Sequence, residues 1–323
     1  SDDNDDLYRS RAFYKYRRNM FRASADLQGD VSGNIKWNAG AGIFHYSVGD
    51  VDIDKLNRGQ AEADKLPDID GLFCKYRQWG LIADDEVRGG TMPYAHIGLT
   101  FDSRNKTAAP SSGIWADAFL TYTAAFGSIN RFNSLKFNAD WRNYRQLATP
   151  RIVLAYRLST QLTLAGDTPF YMASYHNALQ LKRVQYESLG GSNSLRGIMR
   201  GRVLSRGFAL ANIELRIRLK NFDIARQHFY VGINPLLDAG MVLQPIDINE
   251  HKVRTAATVT NDNADNYFNF DHSELYKPHV SGGVGLKVAM NENFILSVEW
   301  ATPFNNQDSG KKSNLYIKMG YLF

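Results

Sequence analysis

The feature that most constrains this chain is alternation: in one segment of about ten residues after another, apolar and polar side chains change places at every step. Ala209, Ala211, Ile213, Leu215, Ile217 and Leu219 stand opposite Asn212, Glu214, Arg216 and Arg218. Leu135, Phe137, Ala139 and Trp141 oppose Lys136, Asn138, Asp140 and Arg142, and Phe229, Val231, Ile233, Leu237 and Met241 oppose Gly232, Asn234 and Asp238. The pattern recurs in Phe21–Leu27, in Val280–Val288 and in Phe294–Ala301. At the C-terminus Leu315, Ile317, Met319, Tyr321 and Phe323 share one face, with Lys318 and Gly320 on the other. A period of two puts successive side chains on opposite faces of a strand, and roughly ten residues is the length at which a tilted strand spans a bilayer. The pattern predicts strands at 20–29, 34–46, 92–102, 113–126, 132–145, 150–163, 206–219, 227–242, 279–289, 293–302 and 313–323.

A soluble sandwich and a membrane barrel both alternate, but they bury opposite faces. The Glu–Arg and Asp–Arg combinations on the polar faces suit a wet lumen, and aromatics gather near strand ends as in interfacial girdles. The chain carries 17 Tyr and 18 Phe in 323 residues. No stretch approaches the roughly 18 consecutive apolar residues of a membrane helix, so any crossing is made by strands. The expected fold is all-β, a transmembrane antiparallel β-barrel of the bacterial outer-membrane type without a soluble catalytic domain.

Other functions lack their residues. The net charge of +5 comes from scattered basic residues, so no nucleic-acid surface is expected. Cys74 is the only cysteine and has no disulfide partner, and the seven histidines show no metal-ligand spacing. No cofactor, metal or catalytic residue is expected, because no GxSxG, P-loop or helix-opening GxGxxG occurs. The Gly-rich run at 281–287 lies inside a strand pattern, and the aspartates of 50–70 lack the Gly and terminal Glu of an EF-hand. The chain starts at Ser1 with no apolar leader.

The connections sort by length. Segments 47–91, 164–205 and 243–278 are long, 303–312 is intermediate, and 30–33, 146–149, 220–226 and 290–292 are short. In outer-membrane barrels long loops face the exterior and short turns the periplasm, which places the C-terminus in the periplasm. Residues 71–87 suit a short helix over the barrel mouth.

Residues 189–202 read LGGSNSLRGIMRGR, with Arg196 and Gly197 at the centre. NIELR follows at 212–216, PLLDAG at 235–240, FDSRNKTAAPSSG precedes them at 101–113, and Phe323 ends the chain. Together, and in this order, these segments resemble the BamA/TamA/FhaC superfamily of outer-membrane barrels, whose signature loop carries an Arg-Gly pair folded into the lumen. The texture is similar to short members from Bacteroidota that lack POTRA domains. The resemblance implies that Arg196 reaches into the lumen to pair with Glu214 and Asp238, both of which alternation turns inward. A solvated Arg196, or a Glu214 paired with Arg216 or Arg218, is the competing arrangement.

The resemblance also implies sixteen strands, five after the signature loop and eleven before it. Five predicted strands follow the loop here, and only six precede it. The expectation is that the chain carries about eleven strands of a sixteen-stranded barrel, the other five lying on a separate fragment or on chain not represented here. The acidic start SDDNDD is similar to an exterior loop nicked in such a barrel. Residues 8–18 either extend the first strand beyond the membrane or form a twelfth, closing a smaller barrel. No POTRA domain is expected within 1–323.

The implied function is assembly, insertion or translocation of outer-membrane proteins at a seam to which 313–323 contributes, with Gly320, Tyr321 and Phe323 as its terminal signal. The alternative is a passive pore or lipid-handling barrel that keeps the loop for stability. The implied partners are outer-membrane lipid or lipopolysaccharide, client outer-membrane proteins, and an N-terminal barrel fragment or partner subunits.

Overall fold

The computed structural model describes residues 12–67, 69–173, 176–180, 183–185, 188–260, 275–291, 294–305 and 313–323. Eleven strands form one antiparallel sheet: β1 (Arg17–Ser32), β2 (Ile35–Gly49), β3 (Gly89–Asp102), β4 (Gly113–Thr123), β5 (Ser134–Gln146), β6 (Ile152–Gly166), β9 (Gly207–Ile224), β10 (Gln227–Gln244), β11 (His279–Met290), β12 (Phe294–Pro303) and β13 (Asn314–Met319). A small hairpin, β7 (His176–Gln180) and β8 (Arg183–Gln185), lies in the β6–β9 connection. Neighbours in the sheet are neighbours in sequence apart from that insertion, so every pairing is made by an up-and-down connection.

Burial is inverted relative to a soluble protein. The polar side chains Asn138, Asp140, Asn212, Asn234 and Ser297 are buried inside the curved sheet, whereas Ile97 is 65% and Ile317 71% exposed on its outside. Large apolar side chains standing outward on successive strands require an apolar solvent, and hydrocarbon supplies it. No helix among the described residues is long and apolar enough to cross a membrane, so the strands make the crossing.

Strands β9 and β10 are joined by a two-residue turn, Ala225–Arg226. Their φ values of 49° and 64° give the mirror-image geometry that matches strand twist. The long connections gather inside the opposite rim. Phe44, Tyr46, Met92 and Tyr94 from strand ends pack with Phe73 and Ile82 of the β2–β3 connection and Tyr171 of the β6–β9 connection. Helices α1 (Ile53–Asn57) and α2 (Leu72–Gln78) lie in the first of these, and α3 (Glu250–Val259) lies in the β10–β11 connection. Trp79, just past α2, is fully buried against Val253 and Ala257 of α3, and its Nε1 donates to Thr260 Oγ1 at 3.1 Å. A helix within 71–87 agrees with the sequence; α3 and its contact with α2 were not foreseen.

Two expectations need correction. The terminal strand ends at Met319 rather than Phe323, because Gly320 takes a φ of +86° and bends the chain out of the ladder. Of residues 8–18, Arg17 and Arg18 do prolong the first strand and 8–11 lie outside the described residues, but 12–16 neither prolong β1 nor form a twelfth strand; 12–14 make a turn, Phe13 is buried, and its carbonyl accepts from the Leu72 amide of α2 at 2.8 Å. The SDDNDD segment lies outside the described residues.

Candidate functional site: the lumenal loop and the strands it binds

The loop 188–206 descends into the lumen on a short apolar stem. Leu189, Leu195, Ile198 and Val203 pack on Phe208, Leu210 and Val242 of β9 and β10, so the loop is seated by burial rather than by charge alone. Its turn closes through Gly191, whose amide donates to the Leu195 and Ile198 carbonyls at 3.2 and 3.0 Å. Ser194 Oγ accepts from the Gly190 amide and donates to the Ser188 carbonyl, both at 3.0 Å. Gly197 has a φ of +92°, and a Cβ there would stand 3.0 Å from the Thr302 backbone of β12, so the conformation favours glycine and a side chain would crowd the strand.

Arg196 is fully buried at the tip. Its Nε and Nη2 form a fork on Asp238 of β10, each bond 2.8 Å, and its own backbone amide donates to the same carboxylate at 3.0 Å. Nη1 donates to Glu214 of β9 at 2.5 Å and to Glu299 of β12 at 3.4 Å. Asp238 also accepts from Asn212 Nδ2, which donates to the Ser194 carbonyl, so strand and loop share one network. The carboxylates have further cations. Arg216 donates to Glu214 at 3.0 Å, while Lys287 bonds Glu299 and Lys318 pairs with it at 2.9 Å. A buried guanidinium is tolerated in low dielectric only when its nitrogens are bonded and the opposing charge is close; here all three nitrogens donate to carboxylates.

Arg196, Glu214 and Asp238 therefore meet as the sequence resemblance implied. The competing pairing is present as well, since Glu214 holds Arg196 with one oxygen and Arg216 with the other. Sequence reasoning missed Glu299, Lys287 and Lys318 as members. Their signal was a charged residue at a lumen-facing position on each of three consecutive strands.

The Omp85 superfamily domain matches residues 6–323. The chain belongs to the Omp85 superfamily. A crystal structure of BamA from Haemophilus ducreyi lacking POTRA domains 1–3 is similar in fold, with a TM-score of 0.57 at 16% identity. The match covers 94% of this chain and 55% of that one, so the chain spans little more than half the length of that BamA structure. A search of curated protein sequences finds no match.

In this Omp85 barrel the loop tip also reaches the terminal strand. The Gly197 amide donates to Tyr316 Oη at 2.9 Å, and Asn314 Nδ2 donates to the Gly197 carbonyl at 2.7 Å. On the other side, Arg157 of β6 bonds Asp140 of β5 at 2.8 Å and the Asn193 carbonyl of the loop at 3.3 Å.

Gly320, Tyr321 and Phe323 do not contact Arg196 itself; Tyr321 and Phe323 border the cluster through Arg216, and Tyr321 also through Lys287. Beyond Gly320 the tail turns inward at the short-turn end. Tyr321 packs with Tyr230, Ala289 and Ile295, and Phe323 packs with Tyr144, Val153 and Ala155. Arg216 donates to the Phe323 carbonyl at 2.6 Å and lies 4.0 Å from the Tyr321 ring centroid. The two aromatics thus leave the lipid face to which alternation assigned them.

At the other rim two carboxylates have opposite environments. Arg131 forms a fork on Asp85 and holds its carboxyl below the ordinary range. Burial pushes Glu86 up, although its carboxylate accepts from the Ala83 and Phe170 amides.

Proposed function

We propose that this chain forms the larger part of an outer-membrane barrel that handles unfolded β-strands, inserting outer-membrane proteins into the bilayer or passing polypeptide across it. The observation that carries this reading is the short ladder by which β13, the last strand, is held at the end of the sheet. Among the described residues β1 pairs only with β2 and β13 only with β12, and the β13 ladder runs over six residues. A strand edge carries unpaired N–H and C=O groups that hydrocarbon does not satisfy, so it recruits another strand.

Further strands close the sheet between β1 and β13, five of them if the count follows the sixteen of the resembled family. The seam beside β13 is then the place where a client strand adds. The Arg196 loop occupies the lumen, and the α2–α3 contact joins two rim connections, so both features count against a passive pore. Under this reading the long connections face the exterior and the C-terminus faces the periplasm. Client outer-membrane proteins, outer-membrane lipid with its lipopolysaccharide, and strand-supplying subunits are the partners.

The test uses the protein as extracted, with any fragment that accompanies it, reconstituted in vesicles. Urea-unfolded small outer-membrane barrels are expected to fold into these vesicles faster than into empty ones, without steady ion conductance. Steady conductance with no acceleration would establish the pore reading instead.

A further inference from the structure

Strand β13 is short, has one neighbour among the described residues, and meets it over six registered pairs from Leu296↔Met319 to Ala301↔Asn314. Its outward side chains gain little burial to compensate, since Leu315, Ile317 and Met319 are all more than 60% exposed. Its three inward side chains behave differently. Asn314 and Tyr316 take the carbonyl and the amide of the same loop residue, Gly197. Lys318 donates to the Ser192 carbonyl at 3.2 Å and pairs with Glu299, itself held by Arg196. Every lumen-facing side chain of the strand is therefore spent on the loop or on its charge cluster.

We infer that the lumenal loop is a positioning clamp for the terminal strand, with Asn314, Tyr316 and Lys318 as the positioning residues. A short edge ladder is marginal by itself, and three lumenal bonds of ordinary strength are comparable with what such a ladder contributes. Clamping from inside leaves the outer backbone edge of β13 untouched. The clamp therefore sets how readily the strand moves aside without blocking the edge to which a client strand adds. Gly197 suits this part because its bare backbone presents donor and acceptor to one strand while lying against the Thr302 backbone of the next. This inference rests on the strand-adding reading for its purpose, and on hydrogen bonds alone for its geometry.

The experiment is hydrogen exchange by mass spectrometry on the reconstituted protein carrying Tyr316→Phe, and separately Asn314→Ala. Tyr316→Phe keeps the ring and removes only the hydroxyl, so folding is retained; heat-modifiable gel migration checks it. Amides of 314–319 are expected to exchange about three- to tenfold faster, the opening that follows loss of one net hydrogen bond. Those of 209–219 and 229–241 are expected to stay as they were. Lys318→Met is expected to act in the same direction, and Lys318→Arg to restore the original rate. Unchanged exchange at 314–319 in both folded variants would overturn the clamp. Client folding is measured on the same samples: faster exchange with unaltered client folding upholds the clamp and counts against the strand-adding reading.

Discussion

The β9–β10 pair and the β12–β13 pair are built from the same alternating pattern, yet they are held in different ways. Strands β9 and β10 are 18 residues each, share a two-residue turn, and register from Gln227↔Ile224 to Gln244↔Gly207. Each contributes a carboxylate to Arg196. Strand β13 has six residues, one partner strand among the described residues and side-chain anchors to a loop. One pair is a wall secured by its ladder and buried charge, and the other is an edge secured from behind. The difference teaches that alternation specifies only which face meets lipid; ladder length and lumenal contacts decide whether a strand is fixed or releasable.

The sharpest way to break this comparison is Arg196→Ala. It leaves Glu214 and Asp238 buried without their main counter-ion, and a loss of about 3–5 kcal/mol is expected in urea unfolding of the reconstituted protein. A loss below about 1 kcal/mol, the size of an exposed ion pair, would mean that the wall owes nothing to the charge cluster.

Trp79→Ala tests the rim. It removes a fully buried indole from the α2–α3 contact, with a local cost of about 3 kcal/mol. Trypsin cleavage in the 50–88 connection should rise while exchange in β9 and β10 is unchanged; a loss of protection in those strands would show that rim and wall form one cooperative unit.

Gly320→Ala sharpens the contrast at the edge. A Cβ at Gly320 would meet nothing within 4 Å, so its cost is the positive φ alone, about 1 kcal/mol. Faster exchange at the 319–323 amides is the expected result, and an unaltered rate would mean that the bend is not maintained by glycine.

The smallest effect is a pH dependence at the rim. Asp85 has its carboxyl lowered by Arg131, so its contribution is complete above the ordinary value near 3.8 and disappears as pH falls through the depressed one. The pair is partly exposed, so a few tenths of a kcal/mol are involved. Proteolysis of the rim should rise slightly between pH 5 and pH 3, and Arg131→Gln should abolish that step.

All eleven sheet strands were legible because the period of two is imposed by the pleat and by lipid on one side, and both constraints act locally. Arg196, Glu214 and Asp238 were legible because a recognisable loop and two inward carboxylates appear in order along the chain. Glu299, Lys287 and Lys318 were visible as inward charges but not as members of the same cluster, since that requires the curvature that folds β11–β13 toward the loop. Tyr321 and Phe323 were misassigned for a physical reason: parity holds only while the strand continues, and the positive φ of Gly320 ends it. The α2–α3 contact joins segments 181 residues apart through Trp79 and Thr260, and no periodicity encodes such a meeting.

The inward tail acts as a cross-brace. Phe323 rests on Tyr144 of β5, on Val153 and Ala155 of β6 and on Arg216 of β9, the last 107 residues earlier in the chain. Strands β5, β6 and β9 are consecutive in the sheet, so the tail fastens the last strand across the lumen to a stretch of wall that the ladder alone never brings beside it.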